Sequence, residues 1–165
     1  MQALVAKWYE ESMRRSQLAA LLELRYGASA DLTPDQLRVA RFLDDIAIQQ
    51  QIGRRPAHFI WEFLGFAVLF WWPALASRLQ REREATGEQR LWTRVERMYG
   101  EMLRVQRTSG TTTVDPTEGV TAATLDPMIQ SIRTELEHLR DARAGVVPSL
   151  PAERSEVRSR QRRSR

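Results

Sequence analysis

Residues 59–75 read FIWEFLGFAVLFWWPAL, and everything else in the chain has to accommodate them. A helix that is apolar nearly all round is either buried on all sides or in a membrane. A span needs about 20 apolar residues, whereas about 10–14 is the length of a buried core helix. Between Glu62 and Arg78 lie 15 uncharged residues, which falls between the two. Extending back to Ala57 supplies the length but encloses Glu62. An ionised carboxylate in hydrocarbon costs several kcal/mol, about 2.5–3.5 by analogy with charged residues on insertion scales. A core helix is therefore the expectation, with aromatics filling a bundle centre. Membrane contact over residues 57–77, with Trp71 and Trp72 as an interfacial belt, is the alternative.

Around this centre the periodicity predicts more helices and no strands. Residues 3–26 form the first, with Leu4, Trp8, Leu18, Leu21 and Leu22 on one side and Gly27 as its stop. Thr33-Pro34-Asp35-Gln36 has the residues of a capping box with proline in the first turn. Val39, Phe42, Leu43 and Ile46 follow at helical spacing, and Gly53 closes that segment. Thr86-Gly87-Glu88-Gln89 repeats the box pattern and predicts the start of a fourth helix carrying Leu91, Val95, Met98, Met102 and Val105. Residues 108–125 hold seven threonines with Gly110, Pro116 and Gly119, and read as a flexible linker. Asp126-Pro127 then opens an amphipathic helix over 126–145. Its Ile129, Ile132, Leu136 and Leu139 form a narrow seam with 3-4-3 spacing. Two heptads do not hold a coiled coil alone, so this helix packs on the bundle or on a partner. The expected architecture is all-α: a bundle of about four helices over residues 1–107, the linker, the amphipathic helix, and a disordered Arg/Ser tail over 146–165.

Charge divides the chain in the same way. The formal net charge is +4. Residues 146–165 contain six arginines against Glu153 and Glu156, which is also +4, so residues 1–145 sum to zero. Lys7 is the one lysine among 25 basic residues, a bias in the mark of a GC-rich genome rather than of phosphate binding. In the tail, Arg158, Arg160, Arg162, Arg163 and Arg165 can contact anions through counterion release, but no aromatics accompany them for base stacking. Nucleic acid is thus not the expected partner; were it one, deletion after Leu150 should remove all binding. The absence of cysteine excludes disulfides, thiolate metal sites and cysteine nucleophiles. The first seven residues lack the apolar core of a secretion signal, which makes a cytoplasmic protein the expectation.

Chemistry-bearing constellations are sparse. His58 and Glu62 stand four apart, but two ligands do not make a metal site. Glu135-Leu136-Glu137-His138 contains the Glu-x-x-His spacing of di-iron bundles, which need a second copy of the motif, and the chain has none. Asp44-Asp45 sits within the second helix, so one of the two leans toward the seam and is expected to pair with Arg41 or an arginine of another helix. No phosphate loop, serine elbow or catalytic triad assembles. No enzyme activity, cofactor, metal or small-molecule substrate is expected.

Residues 38–48 (RVARFLDDIAI), Gln51-Ile52-Gly53, residues 59–65 (FIWEFLG), and Trp71-Trp72-Pro73-Ala74-Leu75 with Arg78 resemble a family of small helical bacterial proteins of unknown function. The resemblance covers residues 35–103. It implies no activity, and it favours a soluble setting for Trp71 and Trp72. Family members often carry an N-terminal membrane anchor, whereas here only six uncharged residues precede Lys7. Taken together, the expected function is that of a non-catalytic interaction module, binding an unidentified protein or a second copy of itself. Trp61, Trp71, Trp72, Ile129, Ile132, Leu136 and Leu139 are the expected contacts. On that reading, Ile132→Asp with Leu136→Asp should abolish association while residues 1–107 stay folded.

Overall fold

The computed structural model describes residues 1–53, 56–110 and 120–144. Among them there are six helices and no strand: α1 (Gln2–Tyr9), α2 (Glu11–Tyr26), α3 (Pro34–Ile52), α4 (Ala57–Thr86), α5 (Thr93–Ser109) and α6 (Ala122–Arg143). The all-α class is as expected. The tail over 146–165 and most of the threonine-rich segment lie outside the described residues.

The apolar run forms the middle of α4, which continues through Pro73 for 30 residues. From Ile60 to Leu79 it buries twelve residues, including Leu64, Val68, Leu69, Trp71 and Leu75 at 1% exposure or less. α5 packs along it most extensively, burying Val95, Met98 and Met102, and α3 lies against both. α2 packs on α3 and α6, so α6 joins the bundle. Leu125, Ile129 and Ile132 belong to the same buried cluster as the α4 core. Three ion pairs fix α6 antiparallel to α2: Arg25–Asp126 (2.9 Å), Arg14–Glu135 (2.6 Å) and Arg143–Glu11.

Several element boundaries depart from expectation. The first segment is two helices, because Glu10 is extended (φ −63°, ψ 139°). No glycine or proline marks the break. It is held by Gln17, fully buried, whose Nε2 donates to the Trp8 carbonyl at 3.2 Å, and it lets Trp8 stack on Phe42 with centroids 4.9 Å apart. Next, Thr86 does not cap a fourth helix. It is the last residue of α4, with its hydroxyl donating back to the Glu82 carbonyl at 2.8 Å, and Gly87 follows in the left-handed conformation. α5 starts only at Thr93, after Trp92, which is itself left-handed (φ 65°) and buried. Lastly, α6 begins four residues before Asp126. Thr124 Oγ1 accepts from the Thr121 backbone N–H at 3.0 Å, a reciprocal threonine cap that the threonine-rich composition disguised as linker. At the other end of the predicted linker, Thr108 and Ser109 complete α5. The Thr33/Gln36 box, by contrast, forms as read, with bonds of 3.2 and 3.3 Å.

Two glycines give opposite expectations. At Gly87 (φ +72°) a Cβ meets no neighbour, so the cost of alanine is that of the left-handed backbone alone, about 1–2 kcal/mol. Gly100 lies inside α5, also with nothing near its missing Cβ, so alanine there should stabilise by about 0.5–1 kcal/mol. Urea denaturation of Gly87→Ala and Gly100→Ala should shift the midpoint down and up respectively.

Candidate functional site

The longest helix is not fully covered. Phe59, Phe63 and Phe66 recur on one face of the N-terminal half of α4 with i, i+4, i+7 spacing. Phe59 and Phe63 make an edge-to-face contact at 5.5 Å, and Phe66 stacks on buried Phe70 at 6.0 Å. Phe63 is 49% exposed and Phe66 46%. Large aromatics left half in water on the helix that carries the long apolar run are the informative departure, because scattered single apolar residues on a surface are ordinary.

Beside Phe66 the surface opens into a groove of about 320 Å³ between α2, α4 and α6, with Trp8 and Tyr9 at one side. Trp71 and Ile132 contribute apolar walls, and Met128 and Ser131 form part of the α6 side. Its polar part is built on α2. Arg14 is nearly buried: Nη1 donates to Gln17 Oε1 at 2.7 Å, Nη2 meets Glu135 Oε2 at 2.6 Å, and the guanidinium lies 4.5 Å from the centroid of the Tyr9 ring. The Arg14 Nε–H is buried and meets no acceptor. Glu135, half-buried, is thus occupied as the counter-ion of Arg14, and His138 of the same Glu-x-x-His pattern is exposed.

The expected contact residues fall on both sides of the surface. Trp71 (1% exposed), Trp72, Ile129 and Ile132 are buried within this chain and present no face to a partner. Leu136 is half-buried and packs on the core, and Leu139 is 39% exposed at the end of α6. Trp61 is partly buried with its ring laid over Gly65, where a Cβ would come within 2.6 Å of ring atom Cε3. His58 and Glu62 are both exposed. Arg158, Arg160, Arg162, Arg163 and Arg165 lie outside the described residues. The sequence reading passed over Phe63, Phe66, Arg14 and Gln17. The last was legible, since Met13, Gln17 and Leu21 recur every four residues and place an amide in an apolar seam.

Asp44 and Asp45 part company. Asp45 pairs with Lys7 at 2.9 Å. Asp44 is half-buried, and desolvation raises its pKa above the ordinary carboxylate value, with the Arg94 charge opposing and Asp45 adding to the rise. Comparison with family models, characterised proteins and solved structures finds no match to this chain, so the resemblance over residues 35–103 stands on its residues alone.

A raised carboxylate pKa means that the folded state holds the proton more tightly than the unfolded one. Ionised Asp44 therefore costs stability above its folded pKa, and that cost disappears as pH falls below the ordinary carboxylate value. Asp44→Asn should raise the denaturation midpoint at pH 7 and lose that advantage near pH 3. An equal gain at both pH values would contradict the burial argument.

Proposed function

We propose that this protein is a non-catalytic helical interaction module that docks another protein through the phenylalanine stripe of α4. The observation that supports this reading is the half exposure of Phe63 and Phe66 on a helix that is otherwise core. Covering the exposed half of each ring contributes about 1 kcal/mol by area. Spacing of i, i+4, i+7 suits the apolar face of a partner helix, whose anchors repeat at the same interval. The bundle and α6 act as the frame that holds α4 in place.

A membrane reading has one observation in its favour, that α4 is long and apolar enough to cross a bilayer. Against it, 61% of the most apolar stretch is already buried by the rest of the chain. Lipid would have to replace packing that the fold already provides. A protein partner and a cytoplasmic setting are therefore the preferred reading.

The test is native sizing of lysate from cells expressing the full chain, after high-speed sedimentation with salt and detergent washes. The chain should stay in the supernatant at a size well above its 19.1 kDa mass. Phe63→Asp should return it to the size of the free chain with unchanged helical circular dichroism. Wild type running as the free chain, or a variant that remains in the complex, would sink the docking surface. Pelleting with membranes, reversed by detergent but not by salt, would establish the lipid reading instead.

A further inference from the structure

We infer that α6 is a displaceable occupant of the α2 face it covers, and that this face receives an amphipathic helix of a partner protein with acidic residues where α6 carries Asp126 and Glu135. The inference is independent of the docking reading, since the phenylalanine stripe lies on α4 and this face on α2. α6 buries only Leu125, Ile129 and Ile132 among its 22 residues, against seven of 19 in α3 and twelve of 30 in α4. It packs mainly on α2, and the groove of about 320 Å³ runs along that junction, so the seam is not closed. In the three ion pairs to α2, the side chains on α6 are open to water: Asp126 is 50% exposed, Glu135 42% and Arg143 74%. Pairs of this kind hold weakly and are screened by salt. An element with few buried apolar side chains opens at a lower free energy than the core. Residues 110–121 join α6 to α5, so the helix remains tethered when it leaves.

The helix already seated there shows what chemistry the face takes. Leu125, Ile129 and Ile132 repeat at i, i+4, i+7, the anchor spacing of a helix laid in an apolar groove. Beside them, Asp126 meets Arg25 and Glu135 meets Arg14. Arg14 sets the specificity. It is 8% exposed, and Glu135 is the carboxylate that matches its charge. An incoming helix without an acid at that place leaves the guanidinium unpaired in a largely buried setting, and one with a lysine there adds like-charge repulsion.

A fluorescent peptide of residues 121–144 tests this when titrated into the full chain at low salt, beside a peptide carrying Asp126→Lys and Glu135→Lys. Tethered α6 competes at an effective concentration on the order of millimolar, so wild type should bind the first peptide weakly. The full chain with Ile129→Asp and Ile132→Asp, which unseats its own α6, should bind it about tenfold more tightly or better. The charge-reversed peptide should bind that variant about tenfold more weakly, with the difference shrinking as salt is added. Hydrogen exchange on wild type needs no variant and decides the matter if the double substitution misfolds: amides of 125–140 should exchange faster than those of 64–75. The inference is overturned if the folded variant binds the peptide no better than wild type, if charge reversal changes nothing, or if α6 exchanges as slowly as residues 64–75.

Discussion

The apolar circumference of α4 is what the other five helices have to cover. Leu64, Val68, Trp71 and Leu75 lie at 1% exposure or less, and fully burying such side chains contributes about 1.5–3 kcal/mol each. α5 and α3 cover two sides of α4, and the break at Glu10 folds Trp8 back onto Phe42 in the shared core. α6 adds Ile129 and Ile132, yet packs mainly on α2.

Coverage is incomplete on one face of the N-terminal half of α4. Phe63 and Phe66 stay half in water, and the adjoining groove carries a buried arginine with one donor unused. Exposed aromatics and an unmet buried donor both lower the stability of an isolated chain. Their occurrence side by side, with Phe66 of α4 and Arg14 of α2 lining one groove, is the reason the proposed function is placed on this face rather than at the end of α6.

Much of the architecture was legible because it rests on local rules. The Thr33/Gln36 capping box and the apolar run at residues 59–75 are such rules: the box forms, and the run is core except on the side of Glu62, Phe63 and Phe66. The Thr86 pattern failed because it has the same residues as a box, while Gly87 gave α4 a left-handed exit that uses the threonine hydroxyl inward. The break at Glu10 was invisible because its cause is Gln17, nine residues from the carbonyl it holds. For the contact residues, spacing identified Ile129 and Ile132 as a seam without showing that α2 already fills it. Periodicity finds an apolar face; which faces remain uncovered depends on packing between distant elements.

Hydrogen–deuterium exchange on the full chain in plain aqueous buffer, without detergent or lipid, tests the central claim that the chain itself shelters α4. Amides of residues 64–75 should exchange only through global unfolding and be the slowest in the protein. Fast exchange across those residues, with protection appearing only when vesicles or detergent are added, would contradict that claim and make lipid the missing cover.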